Sequence, residues 1–196
     1  MSSLTALPIY YVDIISDVVA SVEADVLDTI KSNETAAIGN TSIQTINYQY
    51  GHKAELVETL AQMDKQDPYA FQKYPLVFLV QDFRESVGGT PGIYGTANLN
   101  LIFMHQSRLD YKTTDRYTNV FKPVLYPILI SFMKYLSKHK AVHVQNVQSL
   151  VYDKYDRPLV GVPNATSGNK LSVNDYVDAI EISNLNLLLN YQTCIN

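Results

Sequence analysis

Apolar positions between Asp115 and His139 recur with helical spacing. At about 100° per residue, Tyr117, Val120, Phe121, Val124, Leu125, Ile128, Leu129, Phe132 and Leu136 fall on one broad face, with Arg116, Asn119 and Lys134 opposite. The pattern predicts an amphipathic helix facing the core. Asp115, behind Thr113 and Thr114, marks its start, and Lys134, Lys138, His139 and Lys140 place positive charge at the carbonyl end. Pro123 and Pro127 interrupt the stretch, and each deletes a donor and crowds the carbonyl four residues earlier, at about 3 kcal/mol or more. Both project away from the apolar stripe, so the expectation is a curved helix whose freed carbonyls, at Asn119 and Pro123, open to water. The alternative is a break into two helices near Lys122.

The remaining chain supplies a sheet and further helices. After Pro8, Tyr11, Val12, Ile15, Val18, Val19, Val22, Val26 and Ile30 form one helical stripe, with Asp13, Asp17 and Asp28 on the other side. Asn33–Thr41 reads as loop, Ser42–Tyr50 as a strand closed by Gly51, and Lys53–Asp64 as a short helix with Leu56, Val57, Leu60 and Met63 on one face. Leu76–Val80 is apolar throughout and short, which predicts a central strand buried on both faces. Gln81–Gly95 concentrates glycine and proline and reads as a turn or excursion, and Ala97, Leu99, Leu101 and Phe103 alternate with Asn98, Asn100 and Ile102 as the next strand, so the two strands around the excursion read as a long hairpin. Val147–Val160 reads as a hairpin and Gly161–Asn174 as a long surface loop. Asp178–Asn190 is the last strand. Its apolar phase slips between Ile180/Ile182 and Leu185/Leu187/Leu189, which predicts a bulge near Ser183-Asn184.

Together these elements predict a single α+β domain over residues 1–196, a mostly antiparallel sheet with two or three helices packed on it. Its long loops fall at about 84–94 and 161–174. Their tips, Arg84, Gly88, Gly89, Pro91, Ile93 and Tyr94 in the first and Val162, Pro163, Asn164 and Asn169 in the second, are the candidate contacts to other subunits.

Charge and chemistry narrow the function. A net charge of -4 and a pI near 5.5 disfavour a protein whose task is gripping phosphate, and no long run of Lys and Arg occurs. One cysteine, Cys194, leaves neither a disulfide framework nor a thiolate metal site. No apolar run reaches membrane-spanning length, and Met1–Pro8 lacks the pattern of a signal peptide, so synthesis in the cytoplasm and no membrane partner are expected. Fifteen tyrosines against six phenylalanines and no tryptophan point to half-wet surfaces such as subunit contacts. The glycine-rich stretch lacks the G-K-[ST] of a phosphate loop. His139 and His143 have the i,i+4 spacing of a metal pair without a third ligand, and helix-end cations explain them better. His105, Arg108 and Asp110 lack a nearby nucleophile or oxyanion site. No metal, cofactor or catalytic set is expected. The enzyme alternative is a small hydrolase built on His105 with Asp110 or Asp82.

Lys73-Tyr74-Pro75-Leu76-Val77-Phe78-Leu79, Ala97–Phe103, Tyr117 through Tyr126-Pro127 and Ala179–Leu189, taken in that order, resemble the tail-terminator family of bacteriophage neck proteins. The resemblance spans Pro8–Asn190. The chain departs from the lambda-type terminator in extra material at Ser42–Gln66 and Leu159–Asn174. Its asparagine- and tyrosine-rich wording also resembles proteins of Bacteroidetes-infecting phages, including the crAss-like group. The resemblance implies a structural virion protein of the neck, with no enzymatic activity. It implies a homo-oligomeric ring of 6 or 12 copies between portal and tail, contacting other neck, portal and tail proteins and passing DNA through its lumen without specific binding. The acids Asp13, Asp17, Asp28, Asp175 and Asp178 would then give the lumen repulsive charge; the other explanation of that surplus is solubility. A cellular adaptor domain without a ring is the third reading.

Overall fold

The computed structural model describes residues 11–41, 43–56, 59–60, 73–90, 93–145, 150–156 and 176–190. Helix α1 (Tyr11–Ile38) is the first element. Strand β1 (Asn47–Gly51) and a short helix α2, helical at 53–56 and 59–60, lead to β2 (Leu76–Thr90) and β3 (Ile93–Gln106). A long helical stretch follows: α3 (Thr113–Arg116), a π-helical segment (Tyr117–Leu125) and α4 (Tyr126–Lys138). Short strands β4 (Val142–Val144) and β5 (Asp153–Asp156) precede β6 (Val177–Asn190).

The sheet runs β1-β2-β3-β6-β4, with β5 also on β6. Only β1 and β2 pair in parallel; the other pairs are antiparallel, so the fold is α+β with a mostly antiparallel sheet. Two cores sandwich it. On one face Val77, Leu79, Leu99, Leu101, Phe103, Ile180 and Leu187 meet α1 and the long helical stretch. On the other Leu76, Phe78, Val80, Ile102 and Met104 meet Leu56 and Leu60 of α2. Leu76–Val80 is thus buried on both faces, as its unbroken apolar run predicts.

The bulge in β6 lies where the phase slip places it. Leu99 pairs with Leu185 but Leu101 with Ile182, so the intervening residues of β6 outnumber those of β3. Asn184 takes the left-handed conformation at φ 60°, and its N–H donates to Asn100 Oδ1 at 3.0 Å. Asparagine tolerates that conformation better than most residues. The extra residue keeps Ile180, Ile182, Leu185 and Leu187 on the same buried face.

Several expectations need correction. The segment expected as loop from Asn33 is helical to Ile38. Gly39, at φ 84°, ends the helix with its N–H on Thr35 O at 2.8 Å. Polar residues in this last part of α1 are held by tertiary partners, which periodicity does not reveal. The strand expected at Ser42–Tyr50 is shorter and is the parallel edge of the sheet. The returning arm of the hairpin expected at Val147–Val160 lies outside the described residues; β5, in its first arm, pairs with β6, and the unforeseen β4 takes the other end of the same edge.

The prolines of the long helix are accommodated by widening. In a π winding an N–H reaches the carbonyl five residues back, as Tyr126 N–H does to Phe121 O. That moves carbonyls out of the position a proline ring would crowd. Pro123 is buried, contrary to its expected place on the solvent side, and Asn33 Nδ2 donates to its carbonyl at 3.4 Å where water was expected. The wider winding also shifts the phase. Tyr117, counted in the apolar stripe, is 47% exposed, and Arg116, counted on the polar side, is 2% exposed.

Candidate functional site

Two ends of the sheet carry the candidate contact segments. At one, β2 and β3 run on together beyond the end of β1, which stops at Gly51 opposite Val80. A shift in register between Val80 and Arg84 starts this arm, and Arg84, Glu85, Ser86 and Val87 then pair with Asn98, Ala97, Thr96 and Gly95. The arm replaces the loop expected at 84–94: Arg84, Gly88, Gly89, Ile93 and Tyr94 are strand residues, while Pro91 lies outside the described residues. Glycine density signals a turn in sequence, but glycine also serves a strand where backbones approach closely. Gly95 is such a place, since a Cβ there would lie 3.0 Å from Ser86 O and 3.4 Å from Tyr11 Oη. Tyr11, opening α1, also meets Phe83 edge to face at 6.4 Å, and Asn190 pairs with Ile93. Both ends of the described chain therefore converge on the arm.

The opposite end is built on buried charge. His105, in β3, is 3.0 Å from Glu34 Oε1 of α1, and both side chains are almost fully buried. Thr41 Oγ1 donates to the other oxygen of Glu34. Beside them Arg116 pairs with Asp178, which is wholly buried and lies opposite His105 in the β3–β6 register. Arg116 also donates through Nη1 to Ser107 Oγ at 3.1 Å, through Nε to Tyr111 O at 3.2 Å and through Nη2 to Arg108 O at 3.1 Å. One guanidinium thus fastens the turn from Ser107 to Tyr111 against β6. The 157–175 stretch leaves from Asp156, opposite Asp178, and re-enters at Tyr176, whose carbonyl accepts from Ser107 N–H at 2.6 Å. Val162, Pro163, Asn164 and Asn169 fall within that stretch and outside the described residues.

The hydrolase set is not brought together. His105 faces Glu34, Asp110 pairs with Arg108 at 3.2 Å on the surface, and Asp82 pairs with His52 at 3.3 Å. His139 Nδ1 accepts from Ala141 N–H at 3.3 Å, and His143 sits exposed in β4. Among the described residues no three His, Cys, Asp or Glu side chains converge as a metal site, and no helix is long and apolar enough to cross a membrane. The buried cluster of Glu34, Arg116 and Asp178 went unforeseen. A 3.6-residue period puts Arg116 in solvent, and only the π winding turns it inward. Asp178, expected among the lumen acids, is interior and leaves that set; Asp13, Asp17 and Asp28 are exposed, and Asp175 lies outside the described residues.

Comparisons with protein-family models, with curated proteins and with solved structures gave no match for this chain.

Proposed function

We propose that this chain is a structural protein of a bacteriophage neck, forming a ring of 6 or 12 copies between portal and tail that docks tail components and lets DNA pass. The observation that supports the reading best is the bipolar sheet. The arm lies at one end of β6 and the exit and return of the 157–175 stretch at the other, about 40 Å apart at a strand rise of ~3.3 Å per residue. A subunit in a stack needs contacts on two opposed faces, and this sheet presents one candidate segment toward each. The scaffold between them is a two-sided core, suited to holding both ends at a fixed separation.

Electron microscopy of the purified chain, alone and mixed with phage portal and tail proteins, tests the reading. Rings with a central opening are the expected result. A chain that stays monomeric and enters no larger particle favours the adaptor reading.

A further inference from the structure

The surface of the helical layer has a charge pattern that complements itself. Helix α1 and the π–α4 stretch run antiparallel, as three contacts show: Asn33 meets Pro123, Asp25 meets Ser131 and Lys134, and Val18 and Ser21 share a groove with Tyr135 and Lys138. The exposed face of α1 carries Asp13, Asp17, Ala20, Ala24 and Asp28. Beside it, the exposed side of α4 and its C-terminal turn carry Ile130, Lys134, Lys138 and Lys140, with His143 following. An acidic lane therefore lies alongside a basic one, at matching levels.

The groove at the Lys138 end, about 400 Å³, is lined by Val18, Ser21, Tyr135, Lys138, His139 and Lys140 with Ala141. Donors dominate it. Because Ala141 N–H points at Nδ1 of His139, a neutral imidazole there carries its proton on Nε2 and presents a donor. Ser21 Oγ already donates to Asp17 O at 3.0 Å. The lining suits carboxylates.

We infer that a second copy of this chain docks on this face, with the acidic lane of each α1 lying over the basic lane of the other copy's α4. A two-fold axis between the layers and parallel to the helices produces this arrangement, because it exchanges the lanes while preserving their levels. Asp13 and Asp17 of one copy then meet Lys138, His139 and Lys140 of the other, twice over. Ile130, 68% exposed, lies level with Asp25 through its neighbour Ser131 and so reaches the small residue Ala24 across the interface. Lys134 is already neutralised by Asp25 at 2.9 Å. Lys31 and Lys122, at the far end, are brought together by the same axis, so their repulsion seats the contact toward the Asp13 end. The two-lane pattern favours a like copy over nucleic acid, since a phosphate backbone entering the groove would meet the acids of α1 as well as the lysines. The pairing does not depend on the neck reading and uses neither end of the sheet.

Charge reversal tests it on the full chain, read by sedimentation velocity with circular dichroism as the folding control. The wild type is expected to dimerise at low ionic strength and to dissociate in about 1 M salt, where the Debye length is ~3 Å. The Asp13→Lys/Asp17→Lys chain and the Lys138→Glu/Lys140→Glu chain should each be monomeric. An equimolar mixture should restore a heterodimer, because both contacts again join opposite charges. A wild type that stays monomeric, single-lane variants that dimerise like wild type, or a mixture that remains monomeric each overturns the pairing. A monomeric wild type that binds a short DNA duplex, and loses it with Lys138→Glu/Lys140→Glu, assigns the groove to phosphate instead. Failure here leaves ring formation through the sheet ends to be judged by microscopy.

Discussion

Arg116 sits in the interior with each guanidinium nitrogen engaged, by Asp178, by Ser107 Oγ and by the carbonyls of Arg108 and Tyr111. A buried pair of this kind adds little over apolar residues of the same volume, yet losing one member strands a charge in low dielectric. Arg116→Ala should therefore cost about 3–5 kcal/mol in urea unfolding. A combined replacement of Arg116 and Asp178 by Met and Leu should recover most of it. A single Arg116→Ala change within about 0.5 kcal/mol of wild type, the range of surface substitutions, would show that the guanidinium is in fact solvated. Two tyrosines set the alkaline limit. Burial, then the Glu85 charge, pushes the Tyr11 phenol up to about 12, and burial followed by Asp13 and Tyr50 pushes Tyr48 up as well. Above pH 10 the unfolded chain releases these protons while the folded chain keeps them, so the folded state binds more protons and stability falls as pH rises. Its contribution is intact below pH 10 and disappears as pH climbs through the folded values. Tyr11→Phe and Tyr48→Phe should flatten that slope between pH 10 and about 12 in thermal melts. At the acid end, the hydrogen bonds from Lys134 and then Ser131 hold the Asp25 carboxyl below its usual value, a contribution present above that value and lost as pH falls through the lowered one.

The elements are held by a few side chains whose removal has a calculable sign. Phe132, fully buried on α4, meets Phe103 of β3 edge to face at 5.2 Å, and Phe132→Ala should cost about 3–5 kcal/mol. A loss below about 1 kcal/mol would show that α4 does not pack on the sheet there. At the β6 bulge, Asn184→Gly should be tolerated, whereas Asn184→Val forces a β-branched residue into the left-handed region and should cost about 1–2 kcal/mol. These two sites also mark what was legible. Phe132 could be placed from helical period, and the bulge from the parity slip at Ile182 and Leu185, because burial imposes a period on sequence wherever the backbone is regular. Arg116 and Tyr117 were misplaced for the same reason: the π segment abandons the 3.6-residue period, and two prolines signal trouble without saying whether the chain bends, breaks or widens. The hairpin of β2 and β3 was legible as two strands about a turn, but its arm read as loop because a glycine there satisfies close backbone approach, a tertiary fact. Glu34 and His105 belong to elements distant in sequence, and nothing local to either announces the other. The candidate contact residues at 162–169 remain a sequence reading.

Across the whole molecule the two sheet ends and the helical face are separate surfaces, so their roles separate by mutation. Deleting Gly161–Asn174, or trimming residues 88–93 from the arm at the cost of the Thr90–Ile93 and Ile93–Asn190 pairs, should leave a folded chain with most of its sheet dichroism while abolishing rings in the microscope. Cutting back to Arg84 should not, because Arg84 to Val87 are paired in the sheet. Rings that persist after both changes would show that neither end makes the contact. Under the proposed neck role, the passage of DNA sets a further condition. Sliding duplex must not be held, and each phosphate neutralised by a protein cation steepens the fall of affinity with salt by about 0.9 in the log–log slope. Many of the cations here are already committed: Arg116 to Asp178, Arg108 to Asp110, Lys53 to Glu181 and Lys134 to Asp25. Duplex DNA titrated into the assembled protein should therefore bind weakly at physiological ionic strength, with a log–log slope of about 2 or less, measured by fluorescence anisotropy. Tight binding with a slope of about 5 or more would mean that several lysines and arginines converge on the duplex, and a lumen that releases DNA freely would then be untenable.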